Sequence, residues 1–293
     1  MVLIKLQGGL GNQMFQYAFA RILAKRNKTN TLIDDSIFNI EEKRKGYTPR
    51  TFELSIFENE YNFAKESDFV LFNNLSFISR VKRKLKLNYP KKFTENEFEY
   101  SQKANSLNSP VFITGYFQSF KYFTGFENYV RDLFVFPKNK LSSKNIDLIP
   151  ILSESNTIAV HVRRGDYITD SITNQFHGSC SLEYYTQAIS IITSLLENPT
   201  LVFFSDDSEW VKENFGNFKF NKIFIDHNKG LDSWMDMFLM SICSHNIIAN
   251  SSFSWWAAWL NKNSEKTVVA PKKWFQAQEI DIKSIIPEDW ITI

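Results

Sequence analysis

Short apolar runs alternate with amphipathic stretches along this chain of 293 residues. In the second half, apolar runs bounded by polar residues predict buried strands at 157–162, 201–205, 222–226, 246–250 and 267–270. Apolar residues at helical spacing predict helices between them, at 181–196, 208–215, 232–243 and 253–262. Strands that alternate with helices in this way are typical of a doubly wound parallel sheet.

The beginning of the chain shows the same alternation. Residues 2–6 predict a strand, and a glycine-rich loop then leads into a helix with Asn12 as its N-cap. The apolar runs at 31–34 and 111–117 predict two further strands. Residues 39–110 are irregular and carry no motif.

A segment rich in Pro, Ser, Asn and Lys, residues 137–155, predicts a linker between domains. The chain is also longer than the usual single domain, so two domains are expected. We place them at 1–150 and 151–293, with the C-terminal tail as a candidate to pack back on the first domain.

Composition narrows the function. Hydrophobic residues make up 43% of the chain and charged residues 23%, which indicates a folded globular protein. The net charge of +2 gives no argument for nucleic-acid binding. The two cysteines and four histidines lack metal-ligand spacing, which argues against a disulfide framework and a structural zinc site. The sequence shows no signal peptide and no membrane-spanning apolar run, so a cytoplasmic protein is expected.

One segment of the chain is locally basic. It indicates a solvated helix and loop, or contact with anionic lipid or an acidic glycan that would hold the protein at the periphery of the inner membrane. Its cations are Arg80, Lys82, Arg83, Lys84, Lys86, Lys91 and Lys92.

Two arginines and a histidine stand where the strand ending at residue 162 runs into a loop. Open parallel sheets bind ligands at the carboxyl ends of their strands, and a guanidinium fork matches phosphate oxygens. A diphosphate clamp is therefore predicted, with a structural ion pair to Asp166 as the alternative. Residues 161 and 163 share one face of an extended strand. We expect Arg163 beside His161, and Arg164 as either a second phosphate ligand or an ion-pair partner.

The glycine-rich loop admits three interpretations. Gly9 and Gly11, followed by Asn12 and Gln13, stand between a strand and a helix, where backbone amides attract anions. The spacing imitates a dinucleotide fingerprint, but Met14 occupies the third glycine position. The loop contacts substrate, forms a tight turn, or binds NAD.

Three aspartates stand at similar positions. Asp206 and Asp207 follow a predicted strand, so they bind a ribose or an acceptor hydroxyl, unless Asp207 or Ser208 only caps the next helix. Asp236 lies near the start of a helix, where the helix dipole stabilises it. A carboxylate there also accepts hydrogen bonds from N1–H and N2–H of guanine.

Hydroxyl residues mark another strand-to-helix junction, at Ser251, Ser252 and Ser254 around Phe253. Hydroxyls at a helix N-terminus predict a phosphate cradle. The tryptophans that follow are expected in the core. No Asp-x-Asp motif occurs in the sequence, so arginines and helix N-termini are expected to neutralise a diphosphate in place of a metal ion.

Taken in order, residues 8–16, 161–167 and 251–256 resemble the α-1,2-fucosyltransferases of glycosyltransferase family 11. The arginine motif is also similar to that of α-1,6- and protein O-fucosyltransferases. The resemblance runs from about residue 3 to about residue 272. It implies an α/β, GT-B-like fold with two Rossmann-like domains facing across a cleft, the first on the acceptor side and the second binding GDP-fucose.

The resemblance also implies a reaction. L-Fucose passes from GDP-β-L-fucose to the 2-hydroxyl of a terminal galactose in a glycan, with inversion and without a metal or other cofactor. The alternatives are another GDP-sugar-dependent fucosyltransferase, α-1,6 or protein O-linked, and an NAD-dependent oxidoreductase. Neither nucleic acid nor a membrane-spanning segment is implied.

By position, the resemblance assigns Arg163 and Arg164 to the phosphates, Asp236 to guanine, and Ser251 and Ser252 to the phosphate loop. Asn12 would lie beside the fucose or the β-phosphate. The sequence leaves the general base open, and a water relay is a further alternative. The candidate bases are Asp166, Asp170, His161 and His177.

Overall fold

The computed structural model shows an α/β protein with two parallel sheets. It describes residues 1–39, 50–73, 77–85, 89–96, 98–154, 156–165, 178–276 and 282–293. The chain divides into two compact units, Met1–Val135 and Phe136–Ile293. Among the described residues, no helix combines the length and apolar character needed to cross a membrane.

The boundary between the units precedes the predicted linker and does not fall at residue 150. Within that segment the structure has a helix, Ser143–Leu152, whose N-cap Ser142 accepts a hydrogen bond from Asn145 N at 3.3 Å. The Asn145 side chain is fully buried and donates to Asn228 of the second unit at 2.8 Å. The polar composition therefore belongs to a capped, packed helix, which is why the linker interpretation is wrong.

The first unit contains one parallel sheet of strand order β2-β1-β4-β3. Its described strands and helices are β1 (Val2–Lys5), α1 (Leu10–Arg26), β2 (Thr31–Asp34), α2 (Glu66–Asn73), α3 (Phe77–Lys84), β3 (Lys91–Thr94), α4 (Gln102–Asn105), β4 (Val111–Thr114) and α5 (Glu127–Leu133). Strand β3 and helices α2 to α4 occupy the stretch that sequence analysis left irregular. Strand β3 escaped prediction because it is an edge strand whose residues alternate between half-buried and exposed, with two lysines at its start.

Helix α1 begins three residues earlier than predicted. Its N-cap is Gly9, so the assignment of Asn12 as N-cap is wrong. The backbone N–H of Leu10 donates instead to the Glu53 carboxylate at 3.0 Å, which satisfies one free amide of the first turn. The predicted apolar face of α1 is confirmed, since Met14 and Ile22 are fully buried.

The second unit contains a parallel sheet of order β10-β9-β8-β5-β6-β7. Its described strands and helices are α6 (Ser143–Leu152), β5 (Thr157–Val162), α7 (Leu182–Thr193), β6 (Thr200–Ser205), α8 (Ser208–Phe215), β7 (Asn221–Ile225), α9 (Trp234–Ile242), β8 (His245–Ile247), α10 (Ser252–Leu260), β9 (Val268–Ala270) and β10 (Ile291–Thr292). All five predicted strands and all four predicted helices of this half are present. The C-terminal tail forms strand β10, which pairs with β9, and its expected packing on the first domain stays a prediction.

The core of the second unit explains why β5 reads as a continuous apolar run. This strand lies between β6 and β8 and is buried along its whole length. Its Ile158 and Val160 pack in one cluster with Tyr185 and Ile189 of α7. Each large side chain buried there contributes about 1.5–3 kcal/mol of hydrophobic stabilisation.

Both sheets contain a point where the strand order changes direction. In the second sheet the chain passes from β5 to β6 on one side, whereas β8 continues to β9 on the other. In the first sheet the change lies between β1 and β4. Loops that leave neighbouring strands in opposite directions open a crevice at the carboxyl edge, where parallel sheets bind ligands.

Candidate active site

The two arginines of the β5 loop are paired with the two aspartates of the β6 loop. The last residue of β5 lies opposite the last residue of β6, so the residues that follow emerge side by side. Arg163 Nη1 lies 2.8 Å from Asp206 Oδ2, and Arg164 Nε lies 3.3 Å from Asp207 Oδ2. Asp206 Oδ1 also accepts from the backbone N–H of Arg164 at 2.9 Å. The strand register thus builds the cluster.

Arg164 is held from two sides. Its guanidinium carbon lies 3.9 Å from the ring centre of Trp210, a cation–π contact, while Asp207 pairs with its Nε. Asp207 also caps α8 by accepting from Trp210 N at 3.2 Å, as the helix-cap interpretation predicted. These contacts match the ion-pair interpretation of Arg164. They give Asp206 and Asp207 the role of orienting arginines, which differs from the predicted binding of a ribose or acceptor hydroxyl.

Gly165 allows the two loops to approach closely. A β-carbon at this position would lie 2.8 Å from Asp206 Oδ2 and 3.0 Å from its Cγ. Both distances are shorter than ordinary van der Waals contact, so any larger residue would push the Asp206 carboxylate away from Arg163. Position 165 is therefore a glycine because there is no room for a side chain beside the Asp206 carboxylate.

His161 lies beneath this cluster as a neutral imidazole. Its side chain is buried, with 6% of the residue exposed. Burial and the nearby Arg163 charge lower the pKa of His161 to about 4, although Asp206 opposes the shift. Its ring centre lies 5.8 Å from that of Phe253, next to the start of α10. At neutral pH His161 is a weak proton acceptor, which disfavours it as the general base.

The start of α10 forms the second side of this crevice. Ser251 is the N-cap, and its Oγ accepts from Phe253 N at 3.3 Å. Ser251, Ser252 and Phe253 are half-buried, so they border the surface. Ser254 does not, because it is fully buried and its hydroxyl donates to the carbonyl of Ala249 at 3.4 Å. Ser254 therefore belongs to the core, which corrects its assignment as a substrate-binding residue.

Asp236 lies in a separate hydrogen-bonded network at the carboxyl end of β7. Asn228 Nδ2 donates to Asp236 Oδ1 at 2.7 Å, and Asn145 Nδ2 donates to Asn228 Oδ1 at 2.8 Å. His227 Nε2 lies 2.8 Å from Asn145 Oδ1. Burial raises the pKa of Asp236 to about 7, with Asn228 opposing the shift and Asp226 adding to it. The network fixes the orientation of the carboxylate.

The residues that hold Asp236 were not predicted from the sequence. Asn228 follows strand β7 by three positions, a placement that could have marked it, because carboxyl ends of parallel strands carry functional loops. Asn145 carried no such signal. It lies on α6, inside the segment that was interpreted as a linker.

In the first unit, the glycine loop already holds an anionic group. Glu53 accepts from Leu10 N at the N-terminus of α1, so the chain's own carboxylate occupies the predicted anion position. Gln13 is fully buried, and its amide donates to the carbonyls of Gly8 and Thr51, both at 2.8 Å. Gln13 therefore supports the loop, which corrects its assignment as a substrate contact.

Asn12 lies where the strand order of the first sheet changes direction. Gln118, from the loop after β4, donates through Nε2 to Asn12 Oδ1 at 2.7 Å. Gly8 has a positive φ of 77°, and a β-carbon there would lie 2.5 Å from Asn12 Nδ2. A β-carbon at Gly9 would have its nearest neighbours, the side chains of Arg50 and Glu53, at 3.7 Å, which is ordinary van der Waals contact. An amide pair at this edge can exchange hydrogen bonds with sugar hydroxyls, and Gln118 was missed by sequence analysis.

The remaining base candidates, Asp166, Asp170 and His177, lie outside the described residues. In the part of the chain that is described, no group of three or more His, Cys, Asp or Glu side chains could hold a metal ion. Metal independence itself stays a prediction.

The sequence matches a model of a known protein family. The model of glycosyl transferase family 11 matches residues 1–293. This chain belongs to glycosyltransferase family 11. The predicted family is thereby confirmed, and the protein is a glycosyltransferase.

Relatives of this family 11 glycosyltransferase include two proteins of Escherichia coli. The O-antigen biosynthesis glycosyltransferase WbnK is 35% identical over 309 residues, covering 98% of this chain and 99% of that protein. An alpha-1,2-colitosyltransferase is 32% identical, covering 100% of this chain and 99% of that protein. Galactoside alpha-(1,2)-fucosyltransferase 1 of Leontocebus fuscicollis is 32% identical, but over only 35% of this chain and 28% of its own.

Solved structures bear on the fold. POFUT1 in complex with GDP matches the family 11 chain with a TM-score of 0.51 at 10% identity, covering 91% of this chain and 97% of that one. At this identity the likeness concerns the fold alone. Together with the two parallel sheets, it confirms the expected α/β, GT-B-like fold class.

Proposed function

We propose that this glycosyltransferase transfers L-fucose from GDP-β-L-fucose to the 2-hydroxyl of a terminal galactose, forming Fucα1-2Gal with inversion. The observation that carries the proposal is the Arg163–Asp206 pair, 2.8 Å apart, at the carboxyl edge of β5 where the strand order changes direction. An oriented guanidinium at that place suits a diphosphate. The family 11 membership and the partial match to a galactoside α-1,2-fucosyltransferase agree with this donor and linkage.

In this reaction the galactose oxygen forms a bond to C1 of fucose while the bond from C1 to the phosphate oxygen breaks. GDP leaves with the electron pair, so negative charge grows on the diphosphate. Arg163 and the amides at the N-terminus of α10 would stabilise that charge, which is the largest contribution expected of such a site. The hydroxyl proton passes to a base, for which Asp166, Asp170 and His177 stay the candidates.

Asp236 would read the guanine of the donor. Asn228 donates to its Oδ1, and the carboxylate would accept from N1–H and N2–H of the base. The first unit would supply the acceptor side, with Asn12 and Gln118 as amide partners for sugar hydroxyls.

The alternative of an NAD-dependent oxidoreductase meets a specific obstacle. A dinucleotide pyrophosphate would bind at the N-terminus of α1, where the Glu53 carboxylate already accepts from Leu10 N. Two anionic groups would compete for the same amides. We therefore expect no NAD binding.

A second candidate donor carries colitose in place of fucose. It is favoured by the relative named alpha-1,2-colitosyltransferase, which matches this chain over its whole length. Colitose lacks the 3-hydroxyl of fucose, so the two sugars differ by one hydrogen-bonding group. A site built to bond that hydroxyl would strongly reject the deoxy sugar.

Ligand-dependent thermal unfolding tests the donor. GDP and GDP-fucose should raise the unfolding temperature of the protein, because both bind only the folded state, whereas NAD should leave it unchanged. Equal stabilisation by NAD would overturn the proposal. Competition between GDP-fucose and GDP-colitose for a β-galactoside acceptor, scored by product mass and linkage, then separates the two sugars. A product linked elsewhere than O2 would refute the assigned linkage.

A further inference from the structure

Helix α3 presents an unusual amount of apolar surface. Phe77 is 80% exposed, Ile78 67% and Leu85 63%, and Val81 is exposed as well. Leu85 continues the helix by donating its N–H to the Val81 carbonyl at 2.9 Å. With about 100° per residue, these four side chains fall within an arc of about 100° on one side of the helix. They form one apolar strip.

Cations border this strip on both sides. By the same helical spacing, Arg80 and Lys84 lie along one border and Lys82 along the other, and all three are exposed. Between residues 77 and 92 the sequence contains no Asp or Glu. It does contain seven cations, Arg80, Lys82, Arg83, Lys84, Lys86, Lys91 and Lys92.

We propose that α3 binds an anionic membrane surface, with its axis in the plane of the bilayer. The apolar strip would enter the boundary between headgroups and acyl chains, and the flanking cations would contact lipid phosphates. This arrangement uses both properties of the helix at once. The glycosyltransferase would then have a lipid-binding surface in addition to the site that transfers the sugar.

Other occupants match only one of these properties. A nucleic acid would neutralise the cations but leave the apolar strip in water. A symmetric contact between two copies would cover the strip but bring the flanking cations Arg80, Lys82 and Lys84 of both copies together. An anionic bilayer covers the strip and neutralises the charge.

Helix α3 is short, so its hold on lipid is reversible. Eight residues span about 12 Å, and such a helix binds by the sum of a modest apolar term and a charge term. Binding should therefore require anionic lipid and should weaken as salt screens the charges.

Co-sedimentation of the full chain with lipid vesicles tests the proposal. The protein should pellet with vesicles that contain phosphatidylglycerol, should pellet much less with phosphatidylcholine alone, and should be released by salt. Phe77→Ser together with Ile78→Ser should lower the partition coefficient at least about tenfold. Lys82→Gln together with Lys84→Gln should lower it by about fivefold per cation.

Matched substitutions elsewhere provide the controls. Leu231 is 79% exposed, so Leu231→Ser removes an exposed apolar side chain outside α3. Lys138→Gln with Lys140→Gln removes two exposed cations. These variants should bind vesicles like the parent, and every variant should keep the parent unfolding temperature.

Three outcomes would overturn the proposal. The first is equal binding to neutral and anionic vesicles, and the second is an equal loss in the control variants. The third is self-association in sedimentation velocity that Phe77→Ser with Ile78→Ser abolishes, without any vesicle binding. That last result would make the strip an interface between copies.

Discussion

The charge of Arg163 is oriented by one carboxylate and lies beside a neutral histidine. Asp206 bonds its Nη1 at 2.8 Å, and the pKa of His161 is lowered to about 4, so His161 adds no positive charge beside Arg163 at neutral pH. A cation whose orientation is fixed before the reaction stabilises a departing diphosphate more than a mobile one does.

The first prediction is that Arg163→Lys lowers kcat at least roughly 10²-fold, with a smaller change in GDP-fucose affinity. Lysine keeps the charge but loses the planar fork that bonds oxygen atoms in pairs. Arg164→Lys is the matched control and should cost less, since Arg164 is engaged by Asp207 and Trp210. Steady-state kinetics with binding titrations measure both. Full activity in the Arg163 variant would move the clamp to Arg164.

The second prediction concerns pH. Burial raises the pKa of Asp236 to about 7, and only the carboxylate form accepts both guanine N–H groups. Protonation removes that acceptor, so GDP affinity should fall as the pH drops below about 7, by up to about tenfold per unit. Asp236→Asn should bind GDP weakly at every pH, because its amide brings a donor against the base. The dependence would be measured by calorimetric titration.

Nearby groups define the control for this pH profile. Asp226 is paired with Lys212 at 2.8 Å, and the pKa of His227 is lowered by burial, so neither carries the same titration. Asp232 is exposed, and Asp232→Asn should keep the parent profile. A parent profile that is flat between about pH 6 and about pH 8 would return Asp236 to the simple helix-terminus explanation.

At this scale the sequence indicated Arg163, Arg164 and Asp236 but not the contacts that orient them. A strand end followed by arginines is a local pattern, visible in a few residues. The pairing of Arg163 with Asp206 depends on which strands are neighbours in the sheet. The second pair shows the same dependence, because Arg164 and Asp207 lie 43 positions apart in the sequence. Ser254 shows the opposite error, since a hydroxyl residue close to the half-buried Ser251 and Ser252 gives no sign in the sequence that it is fully buried.

Among the elements, the loops after β5 and β6 depend on each other for space. Only glycine fits at position 165, because a β-carbon there would lie 2.8 Å from Asp206 Oδ2. We predict that Gly165→Ala lowers kcat/KM by roughly tenfold, since overpacking of this kind costs about 1–3 kcal/mol. The folded state should persist, because the displaced carboxylate is at the end of a side chain.

A double-mutant cycle separates this steric cause from a general effect of alanine. With Asp206→Ala in place, the clash is gone, and adding Gly165→Ala should change kcat/KM little further. Penalties that simply add would show that Gly165 acts through something other than Asp206.

Elements were predictable where burial is complete. Strand β5 is buried at all six positions, so its apolar run is unmistakable. Strand β3 and helix α6 were missed for different reasons. The first is an exposed edge. The second is a short helix that contains Pro150 and whose polar Asn145 is buried within its own unit. The hydrophobic pattern of the sequence does not predict an element when other residues bury only part of that element.

At the scale of the whole molecule, no group of three or more His, Cys, Asp or Glu side chains among the described residues could hold a metal ion. We predict that transfer persists in excess EDTA, since guanidinium groups and helix amides can neutralise the leaving group. The comparison is initial rate with and without chelator, and with added Mn²⁺. Activity that disappears on chelation and returns with Mn²⁺ would contradict the prediction and would point to ligands outside the described residues.

The tryptophans provide a probe of one unit alone. All seven lie in the second unit, at positions 210, 234, 255, 256, 259, 274 and 290. Indole emission therefore follows the unfolding of that unit, whereas far-ultraviolet ellipticity follows both. A denaturant titration recorded by the two signals would give coincident curves if the units melt together and displaced curves if they melt apart. Because Trp210 lies against Arg164, its emission is also a natural optical sensor for ligand binding next to that arginine.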